Sequence, residues 1–233
     1  MNALITGATK GIGKAITEHL SAIGFNLAIC ARNEKELYEL NSKLIKLYPN
    51  QQFISLPTDC GDKNELIRFT KFVLEHFQYL DVLINNAGMF IPSTILDEES
   101  EILDKQMHVN VYSAYYLSKV FGKQMRDRKS GHIFNICSIA SKNPVVAAGS
   151  YSVTKFALLG LTKVLRDELM AHKVKVTAVL PGSTLTDSWA GMKLPSNKFV
   201  HPDDVAKAIL NCLQMSEGAN VDEIVIRPLG GDV

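Results

Sequence analysis

The chain has 233 residues, 46% of them hydrophobic and 21% charged, with a formal net charge of +1 at pH 7. That is the balance of a globular protein long enough to bury a substantial core, and it offers no electrostatic footprint for nucleic acid or a membrane surface. No apolar run is long enough to span a bilayer, and the first apolar run begins almost at the initiator methionine, so neither a membrane anchor nor a signal peptide is expected and the reading is cytoplasmic.

A first strand is expected over 3–6, then a helix over 12–23 that Gly24 stops. A strand over 26–31 leads to a helix over 34–47 closed by Pro49-Asn50. Strands follow over 52–56 and 82–85 with a helix over 63–77 between them, and a long helix over 98–126 comes next. The pattern continues with a strand over 132–137, a helix over 153–171 and a strand over 174–180. A helix over 203–215, with Pro202 at its first turn, and a strand over 223–227 end the chain.

Strands apolar on both faces, each followed by a helix, give a parallel sheet covered on both sides, and right-handed crossovers make it doubly wound. The expected class is therefore α/β, with seven strands and helices on both faces. Nothing in the composition marks a linker or repeat, so 1–233 reads as a single domain. The longest stretch without a period, 182–201, holds Thr184, Trp189, Gly191, Met192 and Pro195. It follows a strand end, where open α/β sheets bind ligands, and is expected as a substrate flap. The cysteines (Cys30, Cys60, Cys137 and Cys212) lie far apart with no CxxC pair and read as buried free thiols. The six histidines show no metal-ligand spacing, so no metal is expected.

The first strand runs into Thr6-Gly7-Ala8-Thr9-Lys10-Gly11-Ile12-Gly13, and a helix follows. Glycines there let the chain turn tightly and bring backbone N–H groups against a pyrophosphate at the positive end of the helix. The candidate contacts are Gly7, Thr9, Lys10, Gly11, Ile12 and Gly13. A Walker A reading fails: Lys14 comes one residue too late after Gly7, and Ala15 replaces the required hydroxyl. The second strand ends Cys30-Ala31-Arg32-Asn33, with no acid at its tip to bond a ribose 2′-OH. Arg32 can grip a 2′-phosphate with forked, charge-assisted hydrogen bonds, and Lys10 adds a second cation. NADP(H) is the expected cofactor; Glu34 is the acid that a shifted strand end would bring toward the ribose.

Tyr151 and Lys155 stand four residues apart, on one face of a helix. An ammonium beside a phenol favours the phenolate, which suits the tyrosine to exchange a proton with a carbonyl oxygen near neutral pH. Alone, such a string also reads as a surface pair.

Taken with the glycine loop, these residues resemble the short-chain dehydrogenase/reductase family, in the subgroup with a TGxxxGxG cofactor motif and a YxxxK active site. The resemblance runs along nearly the whole chain. It includes Asp59 after the third strand, Asn85-Asn86-Ala87-Gly88 after the fourth, and Asn110 in the long fourth helix. It continues with Ser138 after the fifth strand, Tyr151-Ser152-Val153-Thr154-Lys155, and Pro181-Gly182 after the sixth. It implies a Rossmann fold and hydride transfer between NADP(H) and a small-molecule carbonyl or alcohol.

By the same resemblance Tyr151 is the general acid or base, Ser138 holds the substrate oxygen, and Lys155 assists Tyr151 and bonds the nicotinamide ribose. Asn110 interrupts its helix and holds a water of a proton relay. Asn86, Ala87 and Gly88 line the adenosine and ribose region, with Asp59 near the adenine. Thr184 or Thr186, after Pro181 and Gly182, meets the nicotinamide carboxamide. Family members assemble through the long fourth and fifth helices, so a homodimer or homotetramer is expected.

Departures from the family pattern shape the alternatives. Asp222-Glu223 stands where the fatty-acid-synthesis reductases carry Thr-Gly before the last strand, which lowers a 3-oxoacyl-carrier-protein reductase without excluding it. A non-catalytic NADP(H) sensor or scaffold is opposed by the intact set of Asn110, Ser138, Tyr151 and Lys155. Met89, Phe90, Ile91, Val145, Trp189 and Met192 suggest a carbonyl with a hydrophobic or aromatic body.

Overall fold

Strand β1 (Asn2–Thr6) sits at the middle of a seven-stranded parallel sheet ordered β3-β2-β1-β4-β5-β6-β7. The structure is a computed structural model that describes residues 1–186 and 195–232. The other strands are β2 (Asn26–Cys30), β3 (Phe53–Ser55), β4 (Val82–Asn85), β5 (Gly131–Ile136), β6 (Val174–Pro181) and β7 (Glu223–Ile226). Helices α1 (Gly11–Ala22), α2 (Glu34–Leu47) and α3 (Lys63–His76) follow the first three strands, and α7 (Pro202–Leu213) precedes the last. The doubly wound class read from the sequence is the one observed.

Alternation along the strands divides the core between the two faces of the sheet. Ala3 and Ile5 of β1 join Leu27 and Ile29 of β2 in a cluster with Ile16, Leu20, Leu37, Val205 and Ile209 from α1, α2 and α7. Leu4, Ala28 and Leu83 point the other way, into a cluster with Phe69 and Val73 of α3 and with Leu117, Phe121 and Met125. Gly24, in the left-handed region at φ +95°, ends α1 where the sequence placed its stop.

The long helix expected over 98–126 is three pieces: α4 (Ile102–Met107), a π-helical turn over His108–Tyr112, and α5 (Ser113–Arg128). The wide turn falls on Asn110, which is buried. Helix α6 runs over Gly149–Met170 and starts four residues earlier than the pattern suggested, because the small residues preceding Tyr151 pack under the loop after β4. Gly149 donates its N–H to the Ser93 carbonyl at 2.9 Å, and a Cβ there would overlap Ile95. Of the expected flap, Thr184 bridges Val200 and a 3₁₀ turn covers Ser196–Lys198. Trp189, Gly191 and Met192 lie outside the described residues.

Among the described residues, no helix is long and apolar enough to cross a membrane.

Candidate active site

The strand order reverses between β1 and β4, and the loops leaving these two strands are stitched together there. Thr6 Oγ1 accepts hydrogen bonds from the N–H groups of Asn86 and Ala87 at 3.0 and 2.9 Å. In return, Asn86 Nδ2 donates to the carbonyls of Thr6 and Gly7 at 2.9 and 3.1 Å. A Cβ on Gly13 would overlap both the Gly7 carbonyl and Asn86 Nδ2, so only glycine lets α1 sit this close to the loop. Gly7 and Gly11 adopt φ of +66° and +50°, which turns the chain into the helix.

Helix α1 opens with no side-chain cap and no acidic residue in its first turn. Helices α2 and α3 differ, for Asn33 and Asp62 cap them. An uncapped, acid-free N-terminus behind a bare glycine turn leaves backbone donors and positive potential for an anion. The residues present therefore fit a pyrophosphate.

Thr9 is half-buried in this turn, and Ile12 packs against the core beneath it. A Cβ on Gly11 would lie 2.9 Å from Thr186 Cγ2. The segment leaving β6 therefore crosses over the glycine loop, and two sites 175 residues apart in sequence (186 − 11) become one. Nearer the sheet, Pro181 ends β6, Gly182 follows, and the Thr184 hydroxyl donates to the Gly182 carbonyl at 2.9 Å.

At the tip of β2, Arg32 is exposed and pairs with no described residue. Lys10, expected to face the same phosphate, has its ammonium 3.1 Å from Glu36 Oε1 on the first turn of α2. Glu34 is exposed at the start of that helix. Asp59 spends one carboxylate oxygen on its own turn, accepting from the Gly61 N–H at 2.8 Å.

The catalytic candidates gather beyond the ends of β4 and β5. Lys155 is buried and donates from Nζ to the Ile136 carbonyl, the last of β5, at 2.8 Å. Its ammonium lies 5.6 Å from the centroid of the Tyr151 ring, one helical turn back. Ser138, two residues past Ile136, caps a short 3₁₀ turn, its Oγ accepting from the Ala140 N–H at 3.1 Å. Gly88 completes the group: a Cβ there would stand 3.8 Å from Lys155 Nζ and 3.7 Å from Asn110 Oδ1.

Asn110 grips the loop after β4 with both ends of its amide. Oδ1 accepts from the Met89 N–H at 2.7 Å, and Nδ2 donates to the Met89 carbonyl at 2.9 Å. Nδ2 also donates to Thr154 Oγ1 at 2.9 Å, and that hydroxyl donates to the Tyr151 carbonyl at 2.8 Å. Phe90, next to Met89, meets the Tyr151 ring edge-to-face at a centroid separation of 4.9 Å. The circuit Met89–Asn110–Thr154–Tyr151–Phe90 thus closes on itself. Sequence reading missed Thr154 as a member, although it lies inside the quoted Tyr151–Lys155 string.

Cys137, beside Ser138, is not an activated thiol. Burial pushes its pKa up to about 11, against the opposing pull of the Lys155 charge. Among the described residues no group of three or more His, Cys, Asp or Glu side chains is placed to hold a metal ion.

The pattern of the family described as short chain dehydrogenase matches residues 1–195. An uncharacterized oxidoreductase of Staphylococcus aureus (strain USA300) is 32% identical over 228 residues, covering 97% of this chain and 96% of the relative. Among solved structures, an alcohol dehydrogenase from the archaeon Thermococcus sibiricus, complexed with 5-hydroxy-NADP, is 26% identical with a TM-score of 0.89 over 98% of this chain and 96% of that one. A metagenomic short-chain oxidoreductase in complex with NADP is 28% identical with a TM-score of 0.84 over the same shares.

Proposed function

The chain belongs to the short-chain dehydrogenase family, and from that premise we propose that it is an NADP(H)-dependent oxidoreductase interconverting a ketone or aldehyde with the alcohol. The observation that carries the reading is the buried Lys155 ammonium, fixed on the Ile136 carbonyl and one turn from Tyr151. Burying a lysine costs free energy unless its charge has partners, and here its proximity to a phenol gives that cost a chemical use.

NADP(H), when bound, supplies or takes up the hydride. In reduction the Tyr151 hydroxyl gives its proton to the substrate oxygen; in oxidation the phenolate takes one. Lys155 places its positive charge one helical turn from the ring that exchanges the proton. Ser138 donates to the same substrate oxygen and holds it against Tyr151 as negative charge develops there. Asn110 keeps the loop after β4 and the backbone of Tyr151 in fixed register, and the π-helical turn around it suits the relay role.

Toward the cofactor, Gly7, Thr9, Gly11, Ile12 and Gly13 would hold the pyrophosphate at α1. Arg32 and Lys10 would meet the 2′-phosphate; Asp59, Asn86, Ala87 and Gly88 would line the adenosine side, and Pro181, Gly182, Thr184 and Thr186 the nicotinamide side. The complexes of the two solved relatives with 5-hydroxy-NADP and NADP, and the absence of an acid at the β2 tip, support NADP(H) over NAD(H). We also read residues 1–233 as one catalytic domain. Exposed Tyr115 on α5 and exposed Val153 and Phe156 on α6 support assembly through the faces of these helices.

The test follows NADPH and NADH consumption over diketones, aromatic aldehydes and 3-oxoacyl thioesters, with Tyr151→Phe beside the wild type. NADPH-dependent turnover that falls by about 10²–10⁴-fold in the variant is the expected result. Tight NADPH binding with no turnover of any carbonyl would instead favour a non-catalytic role.

A further inference from the structure

The last residues of the chain return to the site. After β7 the chain turns at Pro228–Gly231, where Gly231 donates to the Pro228 carbonyl at 3.0 Å and adopts φ +89°. This delivers Asp232 onto the segment leaving β6. Asp232 Oδ1 accepts from the Ser183 N–H at 3.0 Å, and Oδ2 accepts from Arg227 Nε at 2.7 Å, with Arg227 Nη2 at 2.6 Å. A Cβ on Gly182 would overlap Asp232 Oδ1 and stand 3.1 Å from Pro228 Cδ, so the latch requires glycine beneath it.

We propose that Asp232 is a positioning residue that holds Pro181–Thr186 in register for the nicotinamide end of the cofactor. The inference rests on the cofactor reading given above. Ser183 is buried, and its N–H needs an acceptor that neither β6 nor β7 supplies. The sheet register ends with Pro181 opposite Ile226, and the Gly182 N–H takes the Ile226 carbonyl at 2.7 Å, so Ser183 is the first residue past the sheet's own bonding. A carboxylate fixed by the Arg227 guanidinium satisfies it with a charge-assisted bond. From that anchor the segment passes through Thr184, bonded to the Gly182 carbonyl and bridged to Val200, to Thr186 over Gly11. Asp232 therefore sets where the cover over the glycine loop begins, and does so without touching the adenosine side.

The test measures dissociation constants by fluorescence for NADPH and for 2′,5′-ADP, which carries the 2′-phosphate and adenosine but no nicotinamide. Asp232→Ala is expected to weaken NADPH roughly tenfold and to leave 2′,5′-ADP within about twofold. Asp232→Asn keeps an acceptor for Ser183 and is expected to retain most of the affinity, while Gly182→Ala, which displaces the carboxylate, should reproduce Asp232→Ala. Equal weakening of both ligands, or unchanged NADPH affinity in Asp232→Ala, overturns the positioning role. A wild-type chain that binds neither ligand overturns the cofactor reading and this inference with it.

Discussion

The side-chain amide of Asn110 and the hydroxyl of Thr154 are hydrogen-bonded at 2.9 Å, joining the π-helical turn to the first turns of α6. Thr154 has a single hydroxyl proton, and it goes to the Tyr151 carbonyl. The hydroxyl oxygen must therefore accept from Asn110, which fixes the orientation of that amide and with it the double bond pair to Met89.

Thr154→Val keeps the shape and removes both bonds. Since Thr154 is fully buried, the loss leaves one N–H of the Asn110 amide unpaired, and stability should drop by about 1–3 kcal/mol in urea unfolding. Carbonyl reduction should fall in kcat more than it rises in KM, with Thr154→Ser restoring both. Equal kinetics in Thr154→Val and wild type would show that the Asn110–Thr154 bond does not position Tyr151.

Arg32 is exposed and unpaired among the described residues, so removing it disturbs no fold contact. Arg32→Ala should weaken NADPH by about tenfold and leave NADH nearly unchanged, with the gap narrowing as salt rises. Lys10, 3.1 Å from Glu36, is the second cation on this side, and Lys10→Ala should likewise weaken NADPH more than NADH. A loss of NADH affinity as large as that for NADPH in Arg32→Ala would remove the 2′-phosphate role.

His132 on β5 is buried and stacks on Phe134 at a centroid distance of 3.8 Å. Its Nε2 lies 2.8 Å from Thr177 Oγ1, whose own proton goes to the Val221 carbonyl, so the ring is neutral with hydrogen on Nε2. Burial first, and the Lys175 charge second, lower its pKa from 6.5 to about 3. Below pH 6.5 the unfolded chain takes up a proton that the folded chain refuses until about pH 3. Stability from this group is therefore full above that window and is lost on acidification, by about 1.4 kcal/mol per pH unit. Chemical denaturation from pH 7 to 4 should show a shallower acid loss in His132→Gln, and identical slopes would refute the assignment.

The four free cysteines are all buried. Burial raises the pKa values of Cys137 and Cys212, and hydrogen bonding to Cys60 together with burial raises that of Cys30. A thiol disulfide reagent at pH 8 should therefore label none of them in the folded protein, and all four once guanidinium unfolds it. Stoichiometric labelling of Cys137 in the native state would mean that Ser138 has an accessible nucleophile beside it.

Local chemistry made much of this protein legible in one dimension. Apolar runs of four to seven residues between amphipathic stretches dictated a parallel sheet, because strands buried on both faces have no polar side to show. The glycine loop declared itself because Gly7 and Gly13 must approach other backbone without a Cβ, and Tyr151 and Lys155 because a helix puts them on one face. Other features depend on which distant segments the fold brings together. The break in the fourth helix at Asn110 answers to Met89 and Thr154, which lie 21 and 44 residues away along the chain. Thr186 comes to rest on Gly11, and Asp232 on Ser183, across 49 residues. No periodicity records such pairings, since a side chain's own neighbours do not carry them. They arise only when the crossovers have ordered the strands and the carboxyl ends of β1, β4, β5 and β6 stand side by side.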